Sequence, residues 1–209
     1  MLATLPYAPP RLDTAPRAAH AGDIAQLAGV LARAFADDPM VRWFALQDAR
    51  REERARRLFE WYLRDAVPHG ITMTTPSRDG VAIWCPPDRW CMPLWRQAIL
   101  LPTILRITGA ANAPSRIAGV DLLARKHPRR PHYYLAVVGV EPELQGQGIG
   151  STLLRPVLDL CDRTGAPAYL ENTKEANLPL YERLGFRVTE EITMPRGPRQ
   201  WLMWREPEQ

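Results

Sequence analysis

Between Tyr133 and Asn172 the chain reads strand, glycine-rich turn, helix, strand, and this order constrains its fold more than any other stretch. Leu135 to Val140 is an apolar, β-branched run that suits a buried strand. Gln145-Gly146-Gln147-Gly148-Ile149-Gly150-Ser151 follows, and a helix begins at once. Ile149, Leu153, Leu154, Val157, Leu158 and Cys161 recur at helical spacing and give that helix one apolar face. Glycines just before a helix leave backbone N–H groups directed outward beside the positive end of the helix dipole, an arrangement that binds phosphate.

Three phosphate-binding patterns compete for this turn. A P-loop needs GxxxxGK[ST], and no lysine lies near. A dinucleotide fold needs GxGxxG directly after its strand and an acidic residue about twenty positions on. Glu171 stands at that distance, but Ser151 replaces the third glycine and Glu141 to Gln145 separate strand from glycines. The third pattern, Gln/Arg-x-x-Gly-x-Gly/Ala after a strand ending in Val-x-Pro, is met at each position by Gln145 to Gly150 following Val140-Glu141-Pro142. Asn177-x-x-x-Tyr181 and Leu184-Gly185-Phe186 follow in order about thirty residues on.

With these two blocks the chain resembles the GCN5-related N-acetyltransferase (GNAT) superfamily, which uses acetyl-CoA. Within it, the nearest likeness is to puromycin N-acetyltransferase-like bacterial small-molecule acetyltransferases. Tyr134 to Val140, Asn177 to Phe186 and Met194 to Trp201 carry that likeness, with Ala34 to Pro39 and Val81 to Trp84 matching more loosely. It is dense from about His132 to Arg205 and thin before.

The resemblance implies an α/β fold: a mixed, mostly antiparallel sheet of six to seven strands, its fourth and fifth strands splayed, with helices on both faces. Pantetheine would lie in the gap against the backbone of Val138, Gly139 and Val140, much as a peptide adds to a sheet edge. The pyrophosphate would meet the N–H groups of Gln145, Gly146, Gln147, Gly148, Ile149, Gly150 and Ser151. Asn177 and Tyr181 are four apart and share a helix face, by resemblance the cofactor face. Tyr181 matches the tyrosine that protonates the departing CoA thiolate; ordinary phenol (~10) and thiol (~8.5) pKa values make that transfer only mildly uphill. A packed aromatic on a short helix is its plain structural reading.

The acceptor amine must lose a proton before attack. Glu171, at the end of the fifth strand, is the best-placed base, with Glu141 and Glu143 as alternatives. The Val138 N–H is the candidate oxyanion donor. Phe35, Asp38, Trp43 and Phe44 flank the acetyl site by resemblance, and Trp84 stands at a strand end on the expected acceptor side. For the aromatics among them, core packing is the commoner role. No Ser-His-Asp or Cys-His arrangement suggests a covalent acyl-enzyme and the four histidines are scattered, so direct transfer in a ternary complex is expected.

Composition narrows the partners. Net charge is +4, from 27 basic and 23 acidic residues, and Lys126 and Lys174 are the only lysines. The densest basic stretch, Arg50 to Arg57, is interrupted by Glu52 and Glu53, so it reads as a solvated helix face and not as a nucleic-acid surface. Cys85, Cys91 and Cys161 form neither a disulfide framework nor a zinc pattern, so no metal is expected and a reducing cytoplasm fits. No signal peptide is expected at Met1 to Pro10, and Ala98 to Ile107, broken by Pro102, is far short of the ~20 residues that span a bilayer. Monomer and homodimer both stay open.

In chain order, residues 1–12 read as a flexible tail and 13–207 as a single domain. A short strand is expected near Pro16 to His20. Asp23 is placed to cap the next helix, with Gln26 in capping-box position. Arg51 to Val67 reads as a second helix, and Ile71 to Thr75 with Val81 to Cys85 as a hairpin. About 87–130 is longer than this superfamily needs there and reads as a helical insertion, with segments near Leu94 to Ile107 and Arg116 to Lys126. It would either wall the acceptor pocket or cap the sheet. Pro156 should bend the central helix. Besides a small-molecule amine acetyltransferase, two readings stay open: an acetyltransferase acting on protein or peptide amines, and a non-catalytic acyl-CoA sensor.

Overall fold

A computed structural model of the chain describes residues 15–87, 89, 105 and 107–208. Seven strands form one sheet: β1 (Arg17–Ala18), β2 (Met73–Thr74), β3 (Gly80–Cys85), β4 (Tyr133–Val140), β5 (Ala168–Asn172), β6 (Arg187–Thr193) and β7 (Arg199–Arg205). Their order across the sheet is β1-β2-β3-β4-β5-β7-β6, antiparallel except for the parallel pair β4–β5. The helices are α1 (Ile24–Ala34), α2 (Pro39–Phe44), α3 (Arg51–Ala66), α4 (Ala113–Lys126), α5 (Ile149–Thr164) and the short α6 (Leu178–Glu182).

Alternation along the strands sends side chains into cores on both faces. On one face, Leu27, Leu31, Phe59 and Leu63 of α1 and α3 pack on Val81 and Ile83 of β3. On the other, Leu153, Leu154, Val157 and Leu158 of α5 pack with Leu135, Leu170 and Met203. A third cluster joins Trp43 of α2 to Tyr169, Met194 and Leu202, with Leu122 and Leu123 of α4 against it. Gly119 lets α4 approach this closely: a Cβ there would stand 2.5 Å from the Trp43 ring and 2.7 Å from Met194 Cε.

The sheet opens in its middle. β4 and β5 pair only through Tyr133–Ala168, Tyr134–Tyr169 and Leu135–Leu170. Beyond that point β4 stays with β3 up to Val140–Gly80, while β5 stays with β7 up to Asn172–Trp201. β4 also carries a bulge, because Val137 faces Ile83 and Leu135 faces Trp84, leaving Ala136 as the extra residue.

One local expectation turns out differently. Asp23 does not cap α1 with its side chain: the carboxylate takes two hydrogen bonds from Arg17 (2.8 and 3.0 Å) and one from the His20 N–H (3.0 Å), while Gln26 donates to Ser77 O. For a buried carboxylate, a bidentate guanidinium partner prevails over a local cap. Helix α5 runs unbroken across Pro156, with Leu153, Leu154, Val157 and Leu158 all buried. The expected helix near Leu94 to Ile107 lies mostly outside the described residues, as does the expected tail, whereas the Arg116 to Lys126 segment is the body of α4.

Asp23 yields a stability prediction. The Arg17 hydrogen bonds and the His20 N–H hold its carboxyl down at about 2. A depressed carboxyl adds stability above its unfolded value and loses it as pH falls toward the folded one. Asp23→Asn should therefore lower stability by roughly 2 kcal/mol at pH 7. That gap should narrow as urea melts are taken below about pH 4, and a gap independent of pH would contradict it.

Candidate active site

The turn after β4 presents an open anion cradle. Gly146 and Gly148 adopt φ of +77° and +82°, a left-handed backbone that glycine takes without strain. A Cβ added at Gly146, Gly148 or Gly150 would meet nothing within 4 Å, so the space in front of the turn is clear. Gly148 is the N-cap of α5, and Ile149 opens the helix, so the first N–H groups of α5 border that space. The Gln145 side chain turns back and donates to Val140 O at 3.1 Å, tying the turn to the end of β4.

Backbone direction follows from a single bond. Glu141 N–H donates to Asp79 O at 2.8 Å, on the β3 side. Alternation then puts the Gly139 N–H on that side too, and turns the Val138 and Val140 N–H groups toward the gap left by β5. Before the bulge the parity is opposite, since the Tyr133 N–H donates to Pro167 O at 2.9 Å, on the β5 side. Without the extra residue Ala136, Val138 would turn its amide into the sheet. Gly139 sits against α1, where a Cβ would stand 2.7 Å from Leu31 and 3.1 Å from Phe35.

Glu171 lies just past the last β4–β5 pair, on the face covered by α4, its side chain 11% exposed. Tyr134 Oη donates to its Oε2 at 2.7 Å and Tyr169 Oη to its Oε1 at 3.3 Å. His127 Nδ1 approaches Oε1 at 3.6 Å. Behind it, His132 Nε2 lies 3.0 Å from His127 Nε2, and His132 Nδ1 lies 2.7 Å from Arg130 O. Rings enclose the group: His127 stands edge-on to Tyr134 at 5.0 Å and to Tyr169 at 4.9 Å. Burial, then the Glu171 charge, pushes the Tyr134 phenol well up. Tyr62 of α3 keeps 38% of its surface exposed while its hydroxyl end is enclosed. That desolvation, together with the negative charge of Glu171, raises its phenol to about 12. The Cys85 thiol at the end of β3 is raised to about 11, chiefly by burial.

Across the gap, Tyr181 of α6 is 6% exposed and packs edge-on to Phe186 at 6.1 Å. Among the described residues nothing hydrogen-bonds its hydroxyl. Burial first and the charge of Asp38 second push this phenol well up. Asp38 caps α2, accepting from Met40 N at 2.9 Å and Val41 N at 3.0 Å, and Thr173 Oγ1 donates to its second oxygen. With the Lys174–Asp37 pair at 2.6 Å, this fastens the α1–α2 loop to the segment after β5. Asn177 precedes α6 without a side-chain cap bond.

The other expected site residues differ in their surroundings. Phe35 packs on Gly139 and on Phe59, ring centroids 5.2 Å apart. Trp43 is 7% exposed, donates to Arg196 O at 3.1 Å and lies under the Arg116 guanidinium at 4.3 Å, with Phe44 beside it. Trp84, expected at the acceptor side, is fully buried among Leu153, Leu154 and Val157 on the α5 face, opposite to Glu171. Strand alternation decides this, since Ile83 takes the other face. Glu141 is clamped by Arg33 through both carboxylate oxygens, and Glu143 is exposed. Only Glu171, of the three carboxylates weighed, is set among phenols and imidazoles beside the gap. His127, His132, Tyr62, Tyr134 and Tyr169 escaped the sequence reading: the histidines carry no motif, and Tyr62 reads as one more core position of α3.

Among the described residues, no group of three or more His, Cys, Asp or Glu side chains could hold a metal ion, and no helix is long and apolar enough to cross a membrane.

The profile of the acetyltransferase (GNAT) family matches residues 56–186. The chain is similar to the uncharacterized N-acetyltransferase C550.08 of Schizosaccharomyces pombe, 28% identical over 213 residues, covering 90% of this chain and 82% of that protein. It is also similar to the N-alpha-acetyltransferase RimI of Mycobacterium tuberculosis, 40% identical over 72 residues, or 34% of this chain and 43% of that one. Among solved structures, one described as histone acetyltransferase HPA2 and related acetyltransferase, from Corynebacterium glutamicum, is 27% identical with a TM-score of 0.70, covering 93% of this chain and 96% of that chain.

Proposed function

The chain belongs to the acetyltransferase (GNAT) family and is an N-acetyltransferase, and we propose that it moves acetyl from acetyl-CoA to a primary amine of a small molecule. The observation that carries this reading is Glu171, held by Tyr134 and Tyr169 at the point where β4 and β5 part. A carboxylate held by two phenol hydroxyls, with aromatic rings beside it, suits a compact cationic amine, by charge and by cation–π attraction. Aminonucleosides such as puromycin belong to this class of acceptor.

The chain's own residues fit acetyl-CoA. The clear space before Gly146, Gly148 and Gly150 suits a pyrophosphate against the N–H groups of residues 145–151, and the released edge of β4 at Val138 to Val140 suits pantetheine amides. When bound, acetyl-CoA supplies an activated acyl group. Glu171 removes a proton from the acceptor ammonium, directly or through water. The Val138 N–H, turned into the gap, steadies negative charge on the acyl oxygen. Tyr181 holds a proton for the departing sulfur, with Asn177 at the start of its helix. Asp38 and Phe35 border the gap, whereas the packed Trp43 and Trp84 are assigned to the core. Residues 13–207 act as one domain, and the 87–130 insertion, through α4 and His127, closes the acceptor side.

Thiol release from acetyl-CoA, measured across small primary amines including puromycin and across N-terminal peptides, tests this reading. Turnover confined to small amines is expected. A peptide preference would instead favour action on protein N-termini, a second reading that the likeness to an N-alpha-acetyltransferase supports. Saturable acetyl-CoA binding with no turnover on any amine would point to a sensor.

The anion cradle has its own test. Gly150 has no left-handed φ and faces open space, so Gly150→Leu should fold without strain while standing where the pyrophosphate is expected. Calorimetry should give acetyl-CoA binding at least about tenfold weaker with an unchanged Tm. Wild-type affinity would remove this turn from the binding site.

A further inference from the structure

The two imidazoles behind Glu171 form a chain whose protons are set from its far end. A carbonyl oxygen only accepts, so His132 Nδ1, 2.7 Å from Arg130 O, carries a hydrogen and donates it. In neutral His132 the Nε2 is then an acceptor, and the 3.0 Å contact requires His127 Nε2 to be the donor. Neutral His127 therefore carries its hydrogen on Nε2. Its basic nitrogen is Nδ1, the atom that approaches Glu171 Oε1 at 3.6 Å. At that distance the two acceptors stand apart, and a proton arriving between them would convert the approach into an ion pair.

We propose that His127 is the proton-holding partner of Glu171. The proton that Glu171 takes from the acceptor ammonium passes on to His127 Nδ1, and His132 stabilises the resulting imidazolium through its Nε2. The inference rests on the reading of Glu171 as base. The balance is simple: R–NH3+ and the carboxylate become R–NH2 and a carboxylic acid, and the acid's proton moves to imidazole, the stronger base of the two groups in water. Glu171 thereby returns to a carboxylate with a cation beside it. This is the one net proton that amide formation from an ammonium releases. The second amine proton balances the one delivered to the leaving sulfur.

The surroundings suit a transient cation here. From β4 and β5, Tyr134 and Tyr169 face His127 with their rings; from α3 and the end of β3, the nearby titratable groups are Tyr62 and Cys85, neutral at pH 7, with the Asp65 carboxylate of α3 acting on Cys85 from beyond. Glu190 of β6, which acts on Tyr169, is paired with Lys126. The Arg130 guanidinium turns away to Glu206 at 2.7 Å.

The test compares wild type, His127→Asn and Glu171→Gln by thiol release from pH 6.5 to 9, with acetyl-CoA binding by calorimetry and Tm as controls for folding. Asparagine can hydrogen-bond near Nδ1 but cannot titrate. The expected result is a kcat about tenfold or more lower at pH 7, acceptor KM and acetyl-CoA Kd within about twofold of wild type, and a deficit that shrinks as pH rises and more amine arrives deprotonated. A purely structural loss would lower activity alike at every pH. His127→Asn with the wild-type pH profile beside an inactive Glu171→Gln overturns this inference alone. Glu171→Gln at the wild-type rate overturns the base reading and this inference with it. Nitrogen-15 spectra of histidine-labelled wild-type protein need no variant. They should show His127 protonated on Nε2 and His132 on Nδ1, and a neutral His127 protonated on Nδ1 would refute the proposal.

Discussion

Glu171→Gln is expected to lower kcat/KM for the acceptor amine by about 10²- to 10³-fold at pH 7 and to leave acetyl-CoA affinity unchanged. Glutamine keeps the shape of the side chain, and its carbonyl oxygen can still accept the Tyr134 hydrogen bond now made at 2.7 Å. Its amide can donate toward His127 Nδ1, now 3.6 Å from Oε1. The packing of the site therefore survives while its capacity to take a proton is lost. The deficit should contract at alkaline pH, where the amine arrives already neutral, which distinguishes loss of a base from loss of a binding contact. The matching substitutions Glu141→Gln and Glu143→Gln should leave chemistry intact. Glu141 is neutralised by Arg33, and Glu143 projects into solvent. Wild-type activity in Glu171→Gln with a large loss in Glu141→Gln would reassign the base.

Tyr181→Phe is the second large effect: kcat about 10²-fold lower, with acetyl-CoA Kd and Tm close to wild type. No hydrogen bond to this hydroxyl is made among the described residues, so its removal strands no partner. Ordinary phenol and thiol pKa values suggest a nearly even proton transfer, but the structure raises Tyr181 well above its ordinary value, through burial and then through Asp38. The sign matters. A raised phenol keeps its proton throughout an assay between pH 6 and 10, so Tyr181 stays in its acid form and should produce no alkaline limb in kcat. An alkaline limb that Tyr181→Phe abolishes would show the phenol ionising in the working range and would contradict this account.

The part of the fold legible in the sequence is the part specified locally. β5 falls before Asn172, where the strand–turn–helix–strand reading ends, and α5 starts at the glycines. The glycine turn could be assigned to an anion because its chemistry is backbone chemistry: positive φ at Gly146 and Gly148 and a helix start are written in consecutive residues. Asp23 was misread for the opposite reason. A capping box is a local pattern, and Arg17, from the neighbouring strand, offers the carboxylate a stronger partner than the helix does.

The acceptor side was hardly legible. His127 and His132 belong to a connecting segment without periodicity, so nothing in their spacing says that their rings meet at 3.0 Å or that they stand behind a residue from another strand. Trp84 and Ile83 are adjacent apolar residues, and only the pairing register decides which of them faces α5. The same holds for Val138, whose amide is turned to the gap by one extra residue at Ala136.

Sequence alone pointed to the family, to the glycine turn as the candidate anion site, to Tyr181 as the acid candidate and to Glu171 as the leading base candidate, since each rests on residues close enough along the chain to form a pattern. Only the tertiary structure decided which carboxylate is set among phenols and imidazoles, which tryptophans are core, and what stands behind Glu171. Those outcomes depend on strand register, on a bulge and on α4 packing over the sheet. They are contacts between residues distant in sequence, where one-residue shifts exchange the faces of a strand and local pattern carries no information.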